Sequence, residues 1–140
     1  MPSASVVSYV LSRLDNSGTS PTGARKLAFT WLAADTGAID TCTISANDAK
    51  VLKGLYCVLG TSKPGTVQPT ASYDITLVDS QGIDIMGSSM VDRSATAAEQ
   101  AKPAISTLAG RRLVDSTLTL TIVNNSVDSA VGYCNFYFTK

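Results

Sequence analysis

Three aspartates in the stretch "SYDITLVDSQGIDIMG", residues 72–87, have the spacing that most suggests chemistry. Asp74, Asp79 and Asp84 lie five positions apart, with Gly82 between the last two. Carboxylates around a glycine turn could bind calcium or serve as a catalytic acid and base. A calcium loop, however, needs more oxygen ligands at tighter, alternating spacing around its glycine. Among the ten aspartates of the chain, no spacing selects a pair for general acid–base catalysis.

Alternation of apolar and polar residues explains the same stretch as a β-hairpin. Every second residue of its first half is apolar, namely Tyr73, Ile75 and Leu77. This is the two-residue period of a half-buried strand. Residues 80–82 would turn the chain, and residues 83–85 would form the returning strand. We therefore predict that Asp74 and Asp84 lie on the solvent face, and that Asp79 accepts hydrogen bonds from backbone N–H groups of the turn.

Nucleophilic catalysis has little support in the residue types. The chain contains no histidine, so Ser-His-Asp and Cys-His arrangements cannot form. The three cysteines, Cys42, Cys57 and Cys134, are far apart in the sequence and lie within strand patterns. We predict reduced, mostly buried thiols in a protein made in a reducing cytoplasm. The sequence thus predicts no enzyme activity, no catalytic residue, no metal site, no cofactor and no small-molecule substrate.

The charges of the chain point to neither nucleic acid nor a membrane as a partner. Eleven basic residues balance eleven acidic ones, and the basic residues are dispersed along the chain. A surface that follows phosphates usually needs a denser basic cluster. No apolar run approaches the ~18–20 residues that span a bilayer, and the first residues lack the features of a secretory signal.

The composition favours an all-β fold. Serine and threonine together account for 33 residues, whereas glutamate occurs once, at position 99. Residues 26–33 and 39–44 alternate and would form one hairpin around a turn at 35–37, and residues 118–122 and 133–138 would form another. We predict an antiparallel β-sandwich or small barrel, jelly-roll-like, with seven or eight strands.

Other segments predict shorter elements and the domain limits. Ser45 with Asp48 resembles a capping box that opens one or two helical turns. A buried strand would end at Gly60, a loop would cover residues 61–70, and the loop 87–102 could hold a helical turn over 95–100. We predict an N-terminal arm or edge strand over residues 1–14 and a single β-sandwich domain over residues 15–140.

The two ends of the chain are more apolar than one sheet face of a small monomer requires. We predict that they form the interface with other subunits. The candidate interface residues are Val6, Val7, Tyr9, Val10, Leu11, Tyr133 and Tyr137. In the alternative interpretation both ends complete the domain's own fold, and the binding surface lies in the loops at 61–70 and 87–102.

Residues 69–87, "PTASYDITLVDSQGIDIMG", resemble a stretch that recurs in small virion structural proteins of tailed bacteriophages. There, a Pro-Thr loop leads into Tyr-Asp-Ile/Val-Thr-Leu, then Asp, then Gly-Ile/Val-Asp-Ile/Val-Leu/Met-Gly. The following "DRSATAAEQ" resembles that family's Asn-Arg-Ser loop, and "LTLTIVNNS" with "GYCNFYF" resembles its last hairpin, where a glycine precedes an aromatic strand. The resemblance covers about residues 31–138.

The resemblance implies a virion protein that is assembled in the host cytoplasm. Its partners would be copies of itself, in a homo-oligomer such as a trimer, and phage capsid or neck and tail proteins. The first hypothesis is a capsid decoration or cement protein on the assembled head shell. The alternatives are a neck, tail or fibre-base component, and a carbohydrate-binding module on a host-recognition fibre. The aromatic residues that could stack on sugars in such a module are Trp31, Tyr56, Tyr73, Tyr133 and Tyr137.

Overall fold

A computed structural model describes residues 4–14, 23–106 and 108–140, which contain eleven β-strands and one α-helix. The strands are β1 (Val6–Arg13), β2 (Arg25–Leu32), β3 (Cys42–Thr43), β4 (Tyr56–Pro64), β5 (Asp74–Val78), β6 (Glu99–Ala101), β7 (Ala104–Ile105), β8 (Leu108–Ala109), β9 (Arg112–Leu113), β10 (Thr119–Val123) and β11 (Val131–Thr139). The helix α1 covers Ala46–Leu52. All strand pairs are antiparallel, so the predicted all-β antiparallel class is confirmed.

Two sheets carry most of the structure. The larger sheet has the order β1-β2-β11-β4-β6, and β9 also pairs with β4. The smaller sheet has the order β3-β10-β5, and β7 pairs with β8 alone. More strands are present than the seven or eight predicted, because several are pairings of only two residues that cannot be recognised from alternation. The closure of the sheets as a sandwich or a barrel stays a prediction.

The six-stranded and the three-stranded sheet contribute to one hydrophobic core. The alternating residues of β2 and β11 face it, as the sequence predicted, and so do those of the smaller sheet. The core includes Leu27, Phe29 and Trp31 from β2, Cys134, Phe136 and Phe138 from β11, Ile75 and Leu77 from β5, and Leu120 and Ile122 from β10. Burial of large apolar side chains from two sheets supplies the main driving force for this fold.

The hairpins predicted over residues 26–44 and 118–138 are both wrong in their strand pairing. β2 pairs with β1 and β11, whereas β3 pairs with β10 in the smaller sheet. β10 and β11 likewise belong to different sheets. The connections 33–41 and 124–130 therefore cross between the sheets instead of turning back. Asn125 links the two connections, since its Nδ2 donates to Gly37 O at 2.8 Å. Its Oδ1 also accepts from Thr70 N at 2.9 Å, which attaches the loop before β5.

Gly37 allows these connections to meet. Its φ is +83°, and a Cβ on this residue would approach the backbone of Ser126 to 2.6 Å. A side chain at position 37 would therefore push the two crossing connections apart, since real Cβ atoms do not approach backbone this closely.

The shorter predicted elements have mixed outcomes. The helix after Ser45 is confirmed, and the Ser45 hydroxyl accepts from Asp48 N at 3.2 Å as an N-cap. The strand predicted to end at Gly60 continues to Pro64, because residues 60–64 pair with β11. The helical turn predicted over 95–100 is wrong: Glu99 begins β6, which pairs with β4. None of the described helical residues forms a segment of the length and hydropathy needed to cross a membrane.

Candidate functional site

The three aspartates that drew attention in the sequence each accept hydrogen bonds within the structure. Asp84 Oδ1 accepts from Leu77 N and Met86 N, both at 3.1 Å, and its Oδ2 accepts from Ser88 N at 2.8 Å. Backbone N–H groups therefore occupy both oxygens of this carboxylate. Short acidic side chains commonly serve turns in this way.

Asp79 and Asp74 hold neighbouring parts of the chain. Asp79 Oδ1 accepts from Gln81 N at 2.9 Å and Ile83 N at 3.1 Å, which confirms the prediction for this residue. Asp74 Oδ1 accepts from Asp92 N at 2.9 Å, and its Oδ2 accepts from the Asn124 side chain. The carboxylates thus brace the loops against the smaller sheet.

Two predictions about this hairpin are wrong. The returning strand is reduced to one isolated bridge between Val78 and Asp84. Asp84 is a half-buried acceptor of specific hydrogen bonds, not a solvated side chain of an exposed face, whereas Asp74 does lie on the side of β5 that faces away from the core. The physical reason is that the chain after the turn winds through tight turns, whose backbone N–H groups need acceptors. Within the described ranges, no group of three or more His, Cys, Asp or Glu residues could hold a metal ion.

The three cysteines are free thiols whose burial suppresses ionisation. Burial raises the pKa of Cys57 to about 12, and it raises the pKa of Cys42 and of Cys134 above the ordinary thiol value. Cys57 and Cys134 are fully buried, whereas Cys42 is only half-buried. Because the thiolate is the reactive form, these residues are poor nucleophiles in the folded protein.

The centre of the core contains two polar atoms that lack partners. Trp31 Nε1 and Tyr73 OH are buried, and neither forms a hydrogen bond with the part of the chain that the structure describes. Burial also raises the pKa of Tyr73 to about 12, and the Ser62 hydroxyl reduces this rise. The Ser62 hydroxyl does not, however, meet the geometry of a hydrogen bond to the Tyr73 oxygen. The Trp31 ring lies over Gly132, where any side chain would overlap it.

The outer face of the six-stranded sheet carries several of the exposed large apolar side chains of the described chain, namely Val6, Val10, Leu32 and Tyr133. Its side chains alternate with those that enter the core, and the strand registers arrange them in rows across four adjacent strands. We call this surface the outer face. It consists of Val6, Ser8, Val10 and Ser12 from β1, Lys26, Ala28, Thr30 and Leu32 from β2, Val131, Tyr133, Asn135 and Tyr137 from β11, and Leu59, Thr61 and Lys63 from β4.

The outer face combines exposed apolar groups with a sparse positive charge. Val6 is 57% exposed, Val10 66% and Tyr133 40%. The charged residues in its rows are Lys26, whose Nζ lies 6.0 Å from the centroid of the Tyr137 ring, and Lys63. No carboxylate stands in these rows. Contiguous exposed apolar surface of this kind commonly marks a site of interaction.

The predicted interface residues separate into two groups. Val6, Val10, Tyr133 and Tyr137 lie on the outer face. The other three, Val7, Tyr9 and Leu11, are corrected here, since they pack against the core. The reason is the alternation of β1, which sends every second side chain inward once the strand pairs with β2.

Tyr9 shows what these inward residues do. Its ring lies 5.7 Å from that of Phe29, its hydroxyl donates to Asp48 Oδ2 at 2.7 Å, and the same hydroxyl accepts from Ser45 N at 2.8 Å. The Tyr9 side chain therefore anchors the N-terminus of α1 to the sheet.

Sequence analysis missed several members of the outer face. Leu32, Val131 and Leu59 were not candidates, although each alternates with core residues along its strand. The alternation identifies which residues face away from the core, but it does not show that the strands β1, β2, β11 and β4 lie side by side. That order alone assembles the surface.

A shallow cavity of about 420 Å³ lies between β4, β6 and β11, and Tyr133 is the strand partner of Lys63 in its lining. Its polar lining comes from Thr61, Ser62, Lys63, Glu99, Gln100 and Asn135. These groups can donate and accept hydrogen bonds, and a lysine and a glutamate add one charge of each sign. Such a lining suits a polar ligand that forms hydrogen bonds.

Comparisons with protein-family models, curated proteins and solved structures find no match to this chain. No family is therefore assigned to the chain. The structure itself defines only a class, an antiparallel all-β protein with an exposed, weakly basic sheet face. The likeness to phage virion proteins rests on the sequence motifs alone.

Proposed function

We propose that this chain is a structural protein of a tailed-bacteriophage virion that decorates or cements the assembled head shell. The outer face is the surface that binds the shell. The observation that carries the proposal is the exposure of four adjacent strands on one side of the sheet, with valine, leucine and tyrosine side chains in the rows. A sheet of one small domain gains nothing from such residues unless another surface covers them.

The size of the outer face is adequate for a stable contact. Four strands spaced ~4.8 Å apart, each with a row ~27 Å long, give a flat area of about 500 Å². The accessible surface of protruding side chains exceeds that flat area, and a standard interface buries about 800 Å² on each partner. Tyr133 lies in the third of the four strands, where its ring is surrounded by other contact residues. Tyrosine at such positions commonly dominates binding energy.

Charge limits the chemistry of the partner surface. The rows of the outer face contain Lys26 and Lys63 but no carboxylate, and Glu99 of β6 lies close to Lys63, since both line the polar cavity. A shell surface with Asp or Glu side chains opposite these lysines would complement them and speed the encounter. The motif resemblance of residues 69–87 to virion proteins supports the same assignment.

The test measures binding to shells and copy number in purified particles. A copy number that scales with the number of shell subunits supports decoration, whereas one ring of copies per particle would assign the protein to the neck or tail. For the surface itself, Tyr133→Ala and Lys63→Glu are expected to weaken sedimentation with shells that lack the protein. Val123→Lys is the control, since Val123 is 48% exposed on the smaller sheet. Wild-type protein that does not sediment with shells, or is absent from particles, would overturn the proposal.

A second function, carbohydrate binding on a host-recognition fibre, is favoured by one observation. Tyr133 is the strand partner of Lys63, which lines the polar cavity together with Asn135. An aromatic platform next to hydrogen-bonding groups is the arrangement that binds sugars. A glycan array followed by titration of the best ligand tests it. Binding that Tyr133→Ala abolishes would support this function, and an array without signal would remove it.

A further inference from the structure

The edge of the six-stranded sheet at β1 directs unpaired backbone groups outward. The hydrogen bond from Leu14 N to Ala24 O, 3.1 Å long, continues the β1–β2 register beyond Arg13 and Arg25. Hydrogen-bonded and non-hydrogen-bonded pairs alternate along an antiparallel ladder. Even-numbered residues of β1 therefore bond to β2, and the odd-numbered ones point their N–H and C=O groups away from the sheet.

The outward backbone groups have no hydrogen-bond partner within the described ranges. The odd-numbered residues in question are Val7, Tyr9 and Leu11, and no hydrogen bond from residues 4–14, 23–106 or 108–140 reaches their backbone on that side. An unpaired edge of this kind is a template for another strand.

β1 also lacks the features with which proteins usually protect an edge. Residues 6–12 contain no charge and no proline. The register runs from Val6↔Leu32 to Arg13↔Arg25 without a bulge. Lysine, proline and bulges are the common devices against edge pairing. A regular edge strand with seven consecutive uncharged residues, 6–12, before Arg13 is therefore suited to accept a partner strand.

The side chains on the exposed side of β1 identify that partner. Val6, Ser8 and Val10 read the same in both directions about Ser8. We propose that two copies of the chain associate by antiparallel pairing of their β1 strands, with Ser8 opposite Ser8 of the second copy. Val6 then faces Val10 of the second copy, and the outward backbone groups of Val7 meet those of Tyr9.

This register satisfies both the backbone and the side chains. Odd-numbered residues pair with odd-numbered residues, which places the outward N–H and C=O groups in hydrogen-bonded pairs. Even-numbered residues meet in the closer, non-hydrogen-bonded pairs, where valine contacts valine and serine contacts serine. A foreign strand would need the same pattern by chance, whereas a second copy supplies it by symmetry.

The pairing has a consequence for the outer face. The twofold axis of an antiparallel edge pair is perpendicular to the sheet, so the two outer faces lie on the same side of the dimer. Together they offer about 1,000 Å² of flat area. The inference adds the mode of self-association to the proposed function and replaces the trimer by a dimer. The dimer is tested on purified protein without shells. A failed dimer test therefore does not count against the binding to shells, which the sedimentation experiment measures separately.

Cysteine crosslinking tests the register. Residues in a non-hydrogen-bonded pair have Cα atoms ~4.5 Å apart, within the range that a disulfide spans. Ser8→Cys is therefore expected to give a covalent dimer under mild oxidation. Ser12→Cys is the matched control, an exposed serine of the same strand and face, which the register places opposite position 4 of the second copy. Wild-type protein that is monomeric by ultracentrifugation, or equal crosslinking of both variants, would overturn the proposal.

Paired charges provide a second test that does not depend on oxidation. Val6→Glu and Val10→Lys are each expected to weaken dimerisation by about tenfold or more, because each puts a lone charge against a valine. The double variant places the two opposite charges against each other twice, so it is expected to recover dimerisation. Val123→Lys on the smaller sheet is expected to have no effect. A double variant as weak as the single ones would reject this register, and circular dichroism checks that all four variants fold.

Discussion

The ring of Trp31 meets the ring of Tyr73 edge to face, with the centroids 5.7 Å apart and the planes inclined by 60°. Trp31 lies in β2 of the larger sheet, and Tyr73 immediately precedes β5 of the smaller sheet. Both residues are fully buried, and their polar atoms have no partner among the described residues. The contact therefore joins the two sheets through aromatic surface, without a hydrogen bond.

This contact predicts an unusual tolerance at one tyrosine. Tyr73→Phe removes a buried hydroxyl that makes no hydrogen bond, so the free energy of unfolding is expected to stay unchanged or to rise by about 1 kcal/mol. The matched control is Tyr9→Phe, which removes a hydroxyl that bonds to Asp48 and Ser45. It is expected to lower the free energy of unfolding by about 1–2 kcal/mol. Urea denaturation measures both, and equal losses in the two variants would contradict the assignment.

The aspartate hairpin predicts a large structural effect of one carboxylate. Asp84→Ala leaves three backbone N–H groups without their acceptor and is expected to lower the free energy of unfolding by about 2–3 kcal/mol. Asp115→Ala is the control, an exposed aspartate, with an expected change within about 0.5 kcal/mol.

Thermal denaturation with calcium or with EDTA should give the same midpoint for the wild-type protein. A shift with calcium that EDTA reverses would show that the carboxylates bind metal.

The buried thiols predict a two-stage response to a thiol reagent. In the folded protein at neutral pH, Cys57 and Cys134 are expected to be unreactive, because burial raises the pKa of each and blocks access. Cys42 is half-buried and should react slowly. Titration after denaturation should count all three thiols. A single free thiol in the denatured, unreduced protein would instead indicate a disulfide.

The same burial predicts that the protein loses stability in alkali. An unfolded thiol releases its proton near pH 9, whereas the pKa of Cys57 in the folded protein is about 12. Above pH 9 the unfolded state therefore binds fewer protons than the folded state, and the free energy of unfolding falls as the pH rises. The slope is about 1.4 kcal/mol per pH unit for each such group, and Tyr73 adds to it above pH 10.

Replacement of the thiol separates its contribution from the rest. Cys57→Ala should show a shallower decline between pH 9 and 12 than the wild-type protein, although it is less stable at pH 7 because of the cavity. Chemical denaturation at a series of pH values measures the slope. Parallel profiles for the two proteins would show that Cys57 does not contribute.

Local patterns in the sequence determined several of the longer strands and which side of β2, β5, β10 and β11 enters the core. The alternation of Leu27, Phe29 and Trp31 predicted their burial, and Ser45 predicted the start of the only helix in the described residues. Asp79 was also predicted correctly as an acceptor in a turn. Each of these features depends on neighbours within a few positions, because backbone geometry sets the period and the cap.

Only the tertiary structure decided which strands pair and what the exposed sides jointly form. Alternation marks a face but does not name a partner, so β2 and β3 were assigned to one hairpin although they belong to different sheets. The same limit applies to Val10 and Tyr133, which lie 123 positions apart in the sequence. They belong to one surface because β2 lies between β1 and β11 and pairs with both strands. Contacts between distant segments depend on how the whole core packs, and no local period carries that information.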